Sequence, residues 1–357
     1  MKSAQHWLDS IRALPLASRV RIMNVCGGHE RSISMAGLRS ALPRNVELIP
    51  GPGCPVCVCP EEDVHFAMQL ALHAGVILAA FGDMLRVPVN VPKMEPRSLE
   101  QAKAKGADIR PISSPQEALK IARENPVRQV VFFVAGFETT TAPVAAMLME
   151  GVPDNLLLLL SCRLTWPAVA MLLDSEASGF DALIAPGHVA TVMGPGEWGF
   201  VVERHDMPAA VAGFSPASLL AAIYSVLRQM QEGKYFLDNC YPEVVRNGGN
   251  ALAQKHLKNA LHVVDANWRG IGIIPASGFE LAERFAKYDA RKVFAEYETQ
   301  GRKRSGEMPP GCDCARVVLG KIYPDECRLF NTACTPRHPI GPCMVSDEGA
   351  CRIWRTG

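Results

Sequence analysis

From residue 20 to about 190 the chain alternates short apolar runs with stretches of helical periodicity, and this alternation limits the fold more than any other feature. RIMNVC, VELIP, VILAAF, QVVFFVAG, LLLLLS and DALIAP are the runs, and helical patterns over 30–41, 61–73, 139–150 and 166–174 separate them. Strands that alternate with helices pair in parallel, and the helices then cover both faces of the sheet. The alternation occurs twice, over 20–125 and 126–235. It predicts an α/β fold of two similar units with parallel sheets and flanking helices facing a central cleft. Ser215-Pro216 caps a long helix in the second unit, and Gly233 closes it. From 236 onward the texture changes to helical segments and a tail rich in Pro, Gly and Cys. Residues 236–357, with the amphipathic stretch 1–19, are expected to form a third, mainly helical unit.

A chain of 357 residues exceeds the roughly 250–300 at which one core stops growing, which fits more than one unit. Its 37 Lys and Arg against 36 Asp and Glu leave a net charge of +1, and its longest basic run is Arg302-Lys303-Arg304. That balance argues against a nucleic-acid partner. The apolar runs fall far short of the roughly 20 residues of a membrane helix, and the N-terminus carries no secretory pattern. A cytoplasmic location follows as the expectation. In such a reducing compartment, clustered thiols point to metal or redox chemistry rather than structural bridges.

The thiols are clustered. Cys54, Cys57 and Cys59 share one loop, and Cys312, Cys314, Cys327, Cys334, Cys343 and Cys351 fill the tail, leaving Cys26, Cys162 and Cys240 alone. The unusual loops all follow expected strands: CGGHE, GPGCPVC, GFETTT and PGHVATVMG. Ligands of open α/β sheets bind at the carboxyl ends of strands, so these loops should converge on one crevice. Cys54-Pro-Val-Cys57 has the spacing of a disulfide or a redox dithiol, and equally that of half a zinc site completed elsewhere, through Cys59 for example. Cys26, His29 and Glu30 offer a thiolate, an imidazole and a carboxylate that one transition metal can use together. A buried cysteine before a glycine turn, with Glu30 in a helix's first turn, is the plainer reading of the same residues. Glu138-Thr139-Thr140-Thr141 opens a helix where hydroxyls and free N–H groups suit either an anion or simple capping. His188 reads as structural, and Cys162 and Cys240 as core. The six tail cysteines suffice for a four-thiolate centre, iron–sulfur or zinc, but spacing does not choose among them.

Four motifs in this order, CGGHE at 26–30, GPGCPVC at 51–57, GFETTTAP at 136–143 and C-x14-C-x6-C-x16-C at Cys312, Cys327, Cys334 and Cys351, resemble the HypD family of nickel–iron hydrogenase maturation factors over the whole chain. Gly28 stands where the family more often has Thr. The resemblance implies a scaffold on which the Fe(CN)2CO group of the hydrogenase is assembled, with a HypC-like chaperone and a HypE-like donor of cyanide. It implies Cys26 as a ligand of that Fe(II), with His29 and Glu30 beside it. It implies Cys54 and Cys57 as a redox dithiol near the iron, and Cys312, Cys327, Cys334 and Cys351 as ligands of a 4Fe-4S cluster, with Cys314 and Cys343 left over. The tail also resembles ferredoxin:thioredoxin reductase, in which a cluster reduces a disulfide. A cluster-dependent thiol oxidoreductase is therefore the alternative, but it gives Cys26-Gly-Gly-His29-Glu30 no task.

Overall fold

The structure, a computed structural model, describes residues 2–72, 75–92, 94–175, 179–297 and 308–356. The strands run in chain order as β1 (Val20–Asn24), β2 (Val46–Pro50), β3 (Ile77–Phe81), β4 (Ile109–Ile112), β5 (Val130–Gly136), β6 (Leu156–Cys162), β7 (Ala182–Pro186), β8 (Ala209–Ala212), β9 (Leu237–Asn239), β10 (Leu261–Trp268) and β11 (Gly272–Leu281). One sheet has the order β2-β1-β7-β8-β9 and a second the order β4-β3-β5-β6, and every pairing in both is parallel. All seven residues of β5 are buried, as a strand covered on both faces requires. The α/β fold with parallel sheets and flanking helices is thus the one the sequence predicts.

The strands do not divide at residue 125. β1 pairs with β7 through Ile22–Ala182, Met23–Leu183 and Asn24–Ile184, while β3 pairs with β5 from Ile77–Val130 onward. The chain leaves the first sheet after β2, builds the whole second sheet, and returns with β7. Alternation of strand and helix reveals that strands exist. It does not say which strand lies beside which, because register is decided by long-range pairing.

Two further expectations change. The N-terminal helix Ala4–Arg12 lies on helix Pro216–Glu232 rather than on the tail. Its Trp7 ring sits 5.3 Å from that of Tyr224, and Ile11 is buried in the same cluster as Leu219, Ile223 and Leu227. The segment after 236 is not mainly helical at its start: β9 joins the first sheet, and β10 and β11 form an antiparallel hairpin. A bulge between Val264 and Ala266 breaks the period-two pattern that would have announced β10. Beyond the hairpin come short helical turns and the C-terminal helix Ala350–Thr356. The basic run at 302–304 lies outside the described residues. Among the described residues no helix is long and apolar enough to cross a membrane.

Candidate thiol and metal site

Adjacent parallel strands end side by side, so the loops that follow β1 and β2 meet. Gly51 N–H donates to Asn24 O (2.9 Å) and Gly27 N–H to Gly53 O (3.0 Å). Gly53 lies so close to the backbone of Cys26 that any Cβ there would clash with it, which is a physical reason for glycine in GPGC. Cys26 caps helix Gly27–Met35 from an extended backbone (φ −158°, ψ 124°). Cys54 caps the one-turn helix Pro55–Val58, its Sγ accepting from the Cys57 N–H at 3.2 Å. Cys54 and Cys57 form a disulfide, with Cα atoms 5.3 Å apart.

Cys26 and Cys54 line one small cavity of about 10 Å3, closed on its other side by Cys343, Val318 and Glu348 of the tail. Burial pushes the half-buried Cys26 thiol up to about 12, against opposing hydrogen bonds from the backbone of His29 and Gly28. The thiol is therefore protonated at neutral pH, and a metal binding there must displace the proton. Gly28 faces the Phe214 ring, which occupies the space a larger side chain would need.

His29 and Glu30 do different work from Cys26. His29 is fully buried, its Nε2 donates to Ala212 O at 3.0 Å, and its ring lies 4.9 Å from that of Phe214. Burial holds its pKa down at about 4, so the imidazole is neutral, and its Nδ1 is buried without a partner. It does not line the Cys26 cavity. Glu30 borders the cavity, but its carboxylate accepts from Arg39 Nη2 (2.7 and 2.8 Å), Asn24 Nδ2 (3.0 Å) and Trp354 Nε1 (2.7 Å). It joins the strand-end loop to the C-terminal helix.

The tail thiols converge as well. The Sγ atoms of Cys314, Cys343 and Cys351 lie within 4.8 Å of one another, all three buried. Of the four cysteines that the family resemblance implies as cluster ligands, Cys351 alone belongs to this trio, which Cys314 and Cys343 complete. Gly341 packs on Sγ of both Cys312 and Cys314, so a side chain there would fill the cradle between the turns. Cys334 Sγ accepts from Ile340 N–H at 3.3 Å, and Cys327 is buried. Hydrogen bonds from Cys314 and Cys351 pull the Cys343 thiol well below its ordinary range. Those with Cys312 and Cys343 push Cys314 well above it. Crowded soft donors with one member already biased to thiolate suit a metal ion or an iron–sulfur cluster.

The remaining loops serve the frame. Glu138 is buried and accepts from Thr165 N–H (2.7 Å) and Thr165 Oγ1 (2.5 Å), tying the end of β5 to the end of β6. Thr141 Oγ1 donates to Phe137 O at 2.8 Å. Phe137 itself packs in the buried cluster that holds Cys54 and Cys57. His188 stacks on Phe214 with ring centroids 3.9 Å apart. Cys59 is buried, its Sγ 3.2 Å from Ser161 Oγ. Sequence reasoning missed the part played by Cys343, whose spacing gave no sign that it reaches the strand-end loops.

Parallel α/β sheets that hold a strand-end disulfide, with a trio of buried tail thiols that could hold a metal ion, define a cysteine-rich α/β protein. The family model described as "HypD: Hydrogenase formation hypA family" matches residues 2–356. Hydrogenase maturation factor HypD2 of Bradyrhizobium diazoefficiens is 38% identical over 378 residues, covering 100% of this chain and 97% of the relative. Hydrogenase maturation factor HypD of Azotobacter vinelandii is 38% identical, covering 99% and 96%, and that of Escherichia coli is 40% identical, covering 94% and 88%. The chain belongs to the HypD family of hydrogenase maturation factors.

Proposed function

We propose that this protein is the cytoplasmic scaffold on which the Fe(CN)2CO group of nickel–iron hydrogenase is assembled, together with a HypC-like chaperone and a HypE-like cyanide donor. The observation that carries the reading is the cavity shared by Cys26, Cys54 and Cys343: an iron-anchoring thiol, a dithiol and a tail thiol bordering one space. Cys26 anchors the iron, which is cargo here, and its soft thiolate suits a low-spin Fe(II) carrying cyanide and CO. His29 sets the loop by packing and by its bond to Ala212 O, and Glu30 locks the loop against Trp354.

Cys54 and Cys57 supply the electrons. Releasing cyanide from a thiocyanate, R–S–CN + 2e− → R–S− + CN−, takes two electrons, and closing the Cys54–Cys57 disulfide gives two electrons and two protons. The disulfide in this structure is the spent form, which must be reduced before the next cyanide. Cys312, Cys327, Cys334 and Cys351 hold a 4Fe-4S cluster, and such a cluster supplies electrons one at a time. Cys314 and Cys343 pack against Cys351, and Cys343 also lines the cavity of Cys26 and Cys54.

The test is Cys26→Ala, purified with the chaperone. The variant should stay soluble, keep its cluster absorption and still form the Cys54–Cys57 bridge, yet lose the infrared bands of iron-bound CN and CO. Normal bands in that complex would remove Cys26 from the iron and favour the thiol oxidoreductase instead.

A further inference from the structure

This chemistry leaves unused a cavity of about 450 Å3 between the start of helix Glu61–Leu72 and the β10–β11 hairpin. Phe66, Val264, Ile273 and Phe279 give it an apolar wall. Its two guanidinium groups are already committed. Arg163 and Arg291 both pair with Asp63, and Arg163 also donates to Asn267 O (3.1 and 2.7 Å) and Cys162 O (3.0 Å). Glu61 pairs with Arg269 at 3.2 Å.

Four other carboxylates of the lining, Glu62, Asp265, Glu280 and Asp289, form no ion pair among the described residues. Glu62 is the telling one. Its Oε1 accepts from Asn267 Nδ2 at 2.5 Å, but its Oε2 is buried with no partner at all. Burial raises this carboxyl above its usual range, against the opposing hydrogen bond from Asn267 and the more distant charge of Arg163. A buried acceptor left without a donor costs stability unless something supplies one. A metal ion does not fit: among the described residues the tail thiols are the one group that brings three ligand atoms within 4.8 Å.

We infer that this cavity binds an organic cation, an alkylguanidinium or alkylammonium whose charged head donates to Glu62 and whose stem lies on the apolar wall. The size fits such a ligand, pockets for small molecules being roughly 300–1,000 Å3 with a few converging polar groups in an apolar lining. Its source is either a free small molecule or a side chain on a peptide. The inference does not depend on iron assembly at Cys26, since no residue of that site lines the cavity.

Titration calorimetry of the full cluster-bearing chain with Nα-acetyl-L-arginine amide tests it, with the citrulline counterpart as the neutral isostere. The arginine compound should bind about tenfold more tightly than the citrulline one, as a charge-assisted pair predicts. Glu62→Gln, which keeps the acceptor for Asn267, should lose about that factor. Asp265→Asn, on the exposed hairpin, should lose about threefold. Agmatine and a Leu-Arg-Leu peptide separate the sources: preference for agmatine assigns a free cation, and preference for the peptide assigns a partner chain. Equal affinity for arginine and citrulline compounds, or unchanged affinity in Glu62→Gln with cluster absorption retained, overturns the inference.

Discussion

The chain gathers thiols in two places by opposite means. Cys26 and Cys54 follow neighbouring parallel strands whose register is fixed over five residue pairs, Val20–Val46 to Asn24–Pro50, and backbone hydrogen bonds then clip their loops together. That site is preorganised by the sheet and needs no ligand to exist. The tail cysteines sit on turns and on helices of at most seven residues, joined by little regular structure. Bringing several thiolates together without a cation is costly, so a metal or cluster held there would order the tail. The first region is a rigid workbench. The second, on the proposed reading, is a closure whose stability depends on the cluster its thiols hold.

The sharpest way to break this contrast is to remove tail thiols one at a time. Cys312→Ala, Cys327→Ala, Cys334→Ala and Cys351→Ala should each abolish the broad absorption near ~400 nm of a thiolate-bound iron–sulfur cluster. Cys314→Ala and Cys343→Ala should retain it. Iron and sulfide analysis beside the spectrum checks each variant. Loss in Cys314→Ala with retention in Cys334→Ala would transfer the ligand set to the trio of Cys314, Cys343 and Cys351. In every case the Cys54–Cys57 bridge should still form, because the sheet, not the tail, sets its geometry.

Acid should act on the strand-end region through His29. Its pKa is about 4 in the fold against an ordinary 6.5, so the unfolded chain binds the proton more tightly. The stability contributed by the neutral imidazole is complete above pH 6.5 and is lost as pH falls from 6.5 to 4, by about 3 kcal/mol. Urea unfolding at a series of pH values reads this slope. His29→Gln should be less stable at pH 7 but flat across the same window. An equal slope in the variant would assign the acid sensitivity elsewhere.

What was legible in the sequence follows physical range. β5 and β6 could be recognised because a buried parallel strand writes a continuous apolar run, and the strand-end rule alone brought the loops of Cys26 and Cys54 to one rim. The sheet order was hidden, since nothing local in RIMN or VELIP says that β1 will lie between β2 and β7. The hairpin was hidden by its bulge. His29 looked like a ligand because its partner, Ala212 O, lies 183 residues away. The anchoring of Glu30 by Trp354 spans 324 residues. Spacing counted the tail thiols but could not say which of them would touch, since turns rather than a periodic element decide it.

Trp354 is one place where the two regions are joined, and it gives the smallest effect and the finest test. Its Nε1–H donates to Glu30 Oε1 at 2.7 Å, its ring lies 5.3 Å from that of Tyr323, and the Arg39 guanidinium sits 4.8 Å above it. Trp354→Phe keeps an aromatic face for Tyr323 and Arg39 and removes the N–H alone. Glu30 retains Arg39 and Asn24, so the loss is one hydrogen bond to a carboxylate, about 1.5 kcal/mol. The midpoint of urea unfolding should fall with its slope unchanged. Because the bond runs from the C-terminal helix to the loop of Cys26, Trp354→Phe and Glu30→Gln together should cost less than the sum of their separate effects. Strict additivity would mean that the Trp354–Glu30 bond does not couple the two regions, and that the tie is carried by other contacts such as Tyr323 OH to Glu47 and Ser346 Oγ to Asp83.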